Sequence, residues 1–158
     1  MASANKARAP SGDSGQRGLI VAEAAEALVG APFRLFGRDR DTGLDCVGLV
    51  SHALQASGAT TAFPVGYSLR MRNVDAFIAC AGVYGLVRLD GTNIGADGAR
   101  RLPGDVLMFA IGQCQFHFAI VDSAGGLVHA HAGLRRVVRS TAPDTWTPAG
   151  HWRLASDF

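Results

Sequence analysis

The chain has 158 residues, of which 48% are apolar, and its 15 basic and 13 acidic side chains leave a net charge of +2. This length and apolar content predict one globular domain with its own core and exclude a disordered polymer. The near balance of charge argues against a dedicated nucleic-acid binder, which concentrates Lys and Arg. No apolar stretch reaches the roughly 20 residues that a membrane-spanning helix needs, so no membrane insertion is expected.

Residues 1–18 are small, polar and mildly basic. They lack the apolar segment of a secretory signal peptide, which predicts a disordered N-terminal tail and synthesis in the cytoplasm. The remaining residues, 19–158, form the predicted domain.

Helices are predicted in the first half of the chain. Residues 19–29 place apolar side chains on one stripe, and Gly30 with Pro32 ends that helix. Asp45 is the predicted N-cap of a second helix over residues 46–56, which Gly58 ends. Residues 74–81 are a further apolar helix candidate.

The last third of the chain changes to the pattern of strands. The turn Leu102-Pro103-Gly104-Asp105 precedes a first strand, and a turn over residues 123–126 joins the second and third strands as a hairpin. The predicted strands cover residues 106–110, 116–121, 127–132, 135–139 and 150–154. Helices followed by a run of antiparallel strands predict the α+β class.

The cysteines point to one reactive candidate. Three cysteines are too few for a disulfide framework, and their odd number leaves at least one unpaired. Cys46 follows Asp45 and so lies in the first turn of a helix, where free N–H groups and the helix dipole stabilise a thiolate. A thiolate is the attacking species in acyl transfer, and Gly48 would let a substrate backbone approach. A small buried core cysteine is the alternative interpretation.

Three histidines lie on the predicted hairpin and favour the catalytic interpretation. His117 begins one strand, and His129 and His131 share a face of the next. A suitable register would place one of those two beside His117. A Cys–His pair needs a third group to hold the imidazole, and a second histidine can do this by hydrogen bonding.

Three ordered motifs resemble a known family. Residues 30–33 (Gly-Ala-Pro-Phe), Gly37 and residues 43–50 (Gly-Leu-Asp-Cys-Val-Gly-Leu-Val) look like the nucleophile region of the NlpC-type cell-wall cysteine peptidases. Residues 102–107 resemble the Pro-Gly-Asp turn and strand before the family's base. Residues 117–121 and 125–130 are similar to its second and third catalytic stretches, and the resemblance spans about residues 19–154.

The resemblance implies roles for particular residues. Cys46 becomes the nucleophile, His117 the general base and His129 the polar residue that orients His117. The implied fold is papain-like, with N-terminal helices packed on a central antiparallel sheet. The implied activity, which needs no cofactor, is hydrolysis of amide bonds in peptidoglycan stem peptides.

Three further residues are assigned to substrate contact: Asp45, Phe33 and His131. Asp45 is interpreted as a helix cap rather than as a catalytic acid. Members of the family commonly carry Tyr where this chain has Phe33, so backbone N–H groups, including that of Cys46, are the expected oxyanion donors. His131 lies two residues from His129 and competes with it for the orienting role.

The short form without an export signal is most similar to members encoded by phages and gene-transfer agents. This similarity implies phage-like tail proteins as partners, incorporation into such a particle and action at the cell wall.

Two other functions are compatible with parts of the sequence. Cys114, His117, His129 and His131 could supply four ligands to a zinc ion, although this leaves Cys46 unexplained. A catalytically inactive wall-binding or structural tail component on the same fold is the second. Cys80 and Trp146 are expected to pack in or at the edge of the core, and no role is assigned to His52 or His151.

Overall fold

A computed structural model of the chain describes residues 12–59, 81–89, 100–113 and 115–155. Two helices lie entirely within these residues, α1 (Gly12–Ala27) and α2 (Cys46–Ala56), and residues 81–83 are also helical. The described residues also contain eight strands, namely β1 (Arg38–Asp39), β2 (Gly43–Leu44), β3 (Leu86–Arg88), β4 (Val106–Gly112), β5 (Gln115–Val121), β6 (Leu127–His131), β7 (Arg136–Ser140) and β8 (Thr147–Leu154).

Six strands form one antiparallel sheet in the order β3-β8-β4-β5-β6-β7, and β1 pairs with β2 in a separate short hairpin. The predicted turn between β5 and β6 is present, with Gly125 at a φ of 88° that favours glycine. Both helices precede the large sheet and pack on it. The predicted α+β class, with N-terminal helices on an antiparallel sheet, is confirmed.

Helix α2 has the bounds that the sequence predicts, whereas α1 begins earlier. It starts at Gly12 rather than at residue 19, so it extends into the segment predicted as a tail. Its N-terminal half approaches the turn of Pro103 and Gly104 so closely that a side chain at Gly18 would collide with the Pro103 carbonyl oxygen. This tertiary contact stabilises a glycine-rich turn of helix that intrinsic propensity disfavours. Residues 1–11, and the predicted helix over residues 74–81 apart from Ala81, lie outside the described residues.

Five strands of the large sheet, β4 to β8, lie where they were predicted, within three residues at each end. The largest difference is at β8, which begins at Thr147 rather than at residue 150. Residues 38–44 form the short β1–β2 hairpin. None of the helices in the described parts of the chain has the length and apolarity for crossing a membrane.

The two faces of the sheet bury different side chains because successive residues of a strand point to opposite sides. The main core lies between one face and the helices, and it includes Val50, Leu54, Phe118 and Ile120. A smaller core on the other face contains Leu107, Phe109, Ala119, Val121 and Leu127, with Trp146 packed against it.

A buried ionic cluster joins the Pro-Gly-Asp turn to β8. The Asp105 carboxylate accepts hydrogen bonds from His151 Nε2 at 2.6 Å and from Arg153 Nε at 2.7 Å, and it also accepts one from the Leu102 amide. Burial raises the pKa of Asp105, but hydrogen bonds from Arg153 and His151 outweigh it and leave the pKa below its usual value. The Asp105 carboxylate therefore links the start of β4 to β8 through His151 and Arg153.

We expect Asp105→Asn to lower the free energy of unfolding by about 3 kcal/mol, because it removes one partner of a buried charge pair. The exposed change Asp144→Asn is the control and should stay within about 0.5 kcal/mol of wild type. Urea unfolding measures both. Because the folded pKa is depressed, the difference should be complete above the unfolded pKa of about 3.9 and shrink as pH falls through the folded value. Equal stability of the two variants at pH 7 would contradict the assignment.

Candidate active site

One cavity of about 270 Å³ collects the side chains that the sequence singled out. Cys46 reaches it from α2, His117 from β5, and His129 with His131 from β6. Other residues that line it include Phe33, Ile111, Phe116 and Trp146. The cavity therefore combines a thiol, three imidazoles and an apolar wall.

The Asp45 carboxylate fixes where α2 begins. It is completely buried and accepts hydrogen bonds from the backbone N–H groups of Gly48 and Phe36, both at 2.8 Å, and from Arg38 Nη1 at 3.1 Å. Phe36 has a φ of 60°, a conformation that costs a non-glycine residue free energy and that its bond to Asp45 offsets. Cys46 is consequently the first residue of the helix.

Asp45 does not line the cavity, in contrast to Phe33 and His131, which were assigned to substrate contact with it. Its buried carboxylate caps the first turn of α2 and joins it to Phe36 and Arg38. Gly48 also differs from expectation. A methyl group there would overlap the Gly37 carbonyl oxygen, so this glycine permits close packing of two backbone segments rather than the approach of a substrate.

The histidine pair forms where the sheet opens. Strands β5 and β6 pair only at Ile120–Val128 and Val121–Leu127, next to their turn. Beyond these pairs, His117 Nε2 lies 3.0 Å from His129 Nδ1, and the two rings meet edge to face at 89°. The amide of Phe118, the next residue of β5, hydrogen-bonds to the sulfur of Cys46 and brings the thiol to the same opening.

His131 is not the hydrogen-bond partner of His117. Its Nδ1 accepts from the backbone N–H of Leu134 at 3.1 Å, within the turn that follows β6. Its ring centroid is 5.7 Å from that of His129. His131 therefore stands beside the pair at the wall of the cavity, and His129 is the imidazole that contacts His117.

Two residues at this site were not identified from the sequence. Ser140 Oγ lies 2.8 Å from Nε2 of His129, on the side away from His117. Trp146 packs edge-on against both imidazoles, with centroid distances of 5.0 Å to His117 and 5.1 Å to His129. The position of Trp146 in the sequence does not indicate a contact with the histidines. Trp146 lies in the loop between β7 and β8, and the folding of the chain brings it to the imidazoles.

Burial favours the neutral forms of the thiol and of both imidazoles. It raises the pKa of Cys46 to about 12, with a further contribution from the Asp45 carboxylate, and this outweighs hydrogen bonds from the Phe118, Val47 and Cys46 amides. Burial also lowers the pKa of His117 to about 3 and that of His129 to about 4. The expected stabilisation of a thiolate by the helix N-terminus is thus smaller than the cost of desolvating the charge.

The zinc hypothesis needs Cys114, which lies outside the described residues. Among the residues that are described, no group of three or more His, Cys, Asp or Glu side chains is arranged to hold a metal ion.

Alkylation of Cys46 by iodoacetamide tests whether the resting thiol is neutral. We expect a rate that stays low near pH 6 and rises continuously through pH 9, because thiolate increases about tenfold per pH unit below the thiol pKa. Mass spectrometry of the peptide that carries Cys46 separates it from the other cysteines. The control, His117→Ala, should retain the same rising profile. A rate plateau between pH 5 and 8 that disappears in this control would instead reveal a thiolate–imidazolium pair.

No family model and no curated protein sequence matches the chain. Solved structures do match its fold. The NlpC/p60 domain of the peptidoglycan hydrolase SagA aligns with 85% of this chain and 96% of its own, at 19% identity and a TM-score of 0.56. An N-acetylmuramoyl-L-alanine amidase from Bacteroides uniformis aligns with 89% of this chain and 100% of its own, at 15% identity and a TM-score of 0.63.

A third similar structure, NlpC1 from Trichomonas vaginalis, aligns with 92% of this chain at 18% identity and a TM-score of 0.60. The aligned part is 47% of that protein, so this chain spans about half of its length. These neighbours establish the architecture: the chain has the fold of the NlpC/p60 proteins.

Proposed function

We propose that this protein is a cysteine-type peptidase that hydrolyses amide bonds in the stem peptides of peptidoglycan. The observation that carries the proposal is the cavity in which Cys46, at the N-terminus of α2, meets the hydrogen-bonded pair His117–His129. The fold neighbours named as a peptidoglycan hydrolase and an N-acetylmuramoyl-L-alanine amidase support the substrate class.

The hydrogen bonds support His117 as the base. His117 uses Nε2 for its contact with His129, which leaves Nδ1 as the ring nitrogen able to accept the thiol proton. Because thiol and imidazole are both neutral at rest, the proton moves to Nδ1 as the sulfur attacks the carbonyl carbon. The resulting imidazolium is stabilised by its contact with His129 and then protonates the leaving amine.

The acyl-enzyme is resolved by the same residues. Water attacks the thioester carbon while neutral His117 accepts a proton from it, and Cys46 leaves as the thiol when that proton returns. The Cys46 and Val47 amides, which already face the sulfur at the start of α2, are the donors available to the oxyanion. Phe33 lines the cavity without a hydroxyl group, so it contributes an apolar wall only.

Delivery by a phage-like particle is the remaining part of the proposal. It rests on the sequence resemblance to members from phages and gene-transfer agents. Under this proposal tail proteins bring the domain to the cell wall, and the protein itself supplies the hydrolysis.

Digestion of purified muropeptides tests the proposed reaction. Wild type should release a new amine and carboxylate at an amide bond, and Cys46→Ala should release none because the nucleophile is missing. Liquid chromatography with mass spectrometry identifies the bond, and so distinguishes cleavage within the stem peptide from cleavage at the N-acetylmuramoyl-L-alanine bond.

Thermal unfolding of Cys46→Ala must match wild type within a few degrees for this comparison to count. Full hydrolysis by that variant would refute the assignment of the nucleophile. Failure of wild type to cleave any muropeptide would favour the inactive wall-binding or structural component.

We expect His129→Ala to lower kcat between about 10² and 10⁴-fold, because His117 loses the group that fixes its orientation and tautomer. His52→Ala is the matched control: His52 lies on α2 and does not line the cavity. Its kcat should stay within about twofold of wild type. Steady-state kinetics on one muropeptide compares them, and equal losses in both variants would contradict the role of His129.

A further inference from the structure

Ser140 is a hydroxyl group beyond the second imidazole, outside the three motifs of the sequence. Its Oγ lies 2.8 Å from His129 Nε2, while the other ring nitrogen of His129 contacts His117. The three side chains form one continuous line of hydrogen bonds, His117–His129–Ser140, leading away from the cavity.

The sheet holds Ser140 in this position. Strands β6 and β7 pair at five positions, and His129 lies opposite Val138. Ser140 is two residues further along β7, so it shares a face with Val138 and is a diagonal neighbour of His129. Its placement is therefore set by strand register rather than by a loop.

The line of hydrogen bonds admits only one direction if His117 is the base. A neutral imidazole has one N–H donor and one acceptor nitrogen. His117 must keep its proton on Nε2 to leave Nδ1 free, so His129 accepts at Nδ1 and carries its own proton on Nε2. That proton needs an acceptor, and the oxygen of Ser140 is the group at hydrogen-bond distance.

Because His129 is buried, water cannot readily replace Ser140 as the acceptor for its Nε2 proton. His129 is only 2% exposed, and Trp146 packs against its ring, so solvent has little access to replace a lost partner. Without an acceptor at Nε2, the tautomer of His129 that carries its proton on Nδ1 and donates it to His117 would become lower in free energy. His117 would then hold its proton on Nδ1, where it cannot take one from Cys46.

We propose that Ser140 is a positioning residue that holds His129, and through it His117, in the tautomer required for general-base catalysis. The proposal deepens the proposed function and rests on it for its kinetic consequences. The arrangement of protons that it states is a property of the folded protein and can be measured without substrate.

The kinetic test compares Ser140→Ala, Ser140→Thr and the control Ser57→Ala. Ser57 donates one side-chain hydrogen bond to the Leu54 carbonyl at the far end of α2, so its loss matches Ser140→Ala in size. Ser140→Ala should lower kcat about tenfold to a hundredfold with KM within twofold of wild type, the loss expected for one buried hydrogen bond. Ser140→Thr should recover activity to within about threefold of wild type, and Ser57→Ala should not change it.

Ring ¹⁵N chemical shifts of the histidines supply the readout that is independent of activity. Wild type should show Nε2-protonated His129 and His117 at pH 7, and Ser140→Ala should show a population with the proton on Nδ1 of both rings. Unchanged tautomers together with unchanged kcat in Ser140→Ala would overturn the proposal. If wild type proves inactive on muropeptides, the proposed function fails, while the ¹⁵N shifts still decide the role of Ser140.

Discussion

The buried carboxylate of Asp45 is the constraint on which the site depends. It joins the first turn of α2 to the backbone of Phe36 and to the guanidinium of Arg38, and so fixes the segment from residue 33 to 38 against the helix. Gly37 and Gly48 pack so closely beneath it that neither tolerates a side chain. The position of Cys46 at the cavity follows from this arrangement, because a shift of the sequence by one residue along the helix would rotate the thiol by about 100° about the helix axis.

The histidine side of the site lies where strands β5 and β6 separate. Strand β5 pairs with β4 along most of its length but with β6 at only two positions, which leaves room for the imidazoles of His117 and His129 and for the sulfur of Cys46. Trp146 covers both imidazoles. The enclosure that brings these groups together favours the neutral forms of the thiol and of the imidazoles. Under the proposed function, the proton is therefore transferred during attack rather than held in a preformed ion pair.

Much of this fold was readable from the sequence because local signals determine it. The Asp45 cap and the stop at Gly58 fixed α2, and the turn at residues 123–126 fixed the hairpin that carries the histidines. The predicted beginning of α1 was wrong because residues 12–18 contain three glycines, which disfavour a helix, whereas the close packing of Gly18 against Pro103 and Gly104 is a tertiary contact. The motif resemblance favoured His129 over His131 as the partner of His117, and these two rings are in contact in the folded chain. The contacts of Ser140 and Trp146 and the pairing of Asp105 with His151 join segments that are distant in the sequence. The thiol pKa depends on burial in the folded chain. Local sequence patterns therefore do not predict any of these features.

Under the proposed function, one carbonyl of a peptidoglycan peptide binds between Cys46 and His117. A crystal structure of Cys46→Ala with an uncleaved muropeptide tests this most directly. We expect the scissile carbonyl carbon about 3–4 Å from the position that Sγ occupies in wild type, with its oxygen towards the amides of residues 46 and 47. A muropeptide bound in the cavity with its amide bonds remote from residue 46 and His117, or bound on another surface, would contradict the account.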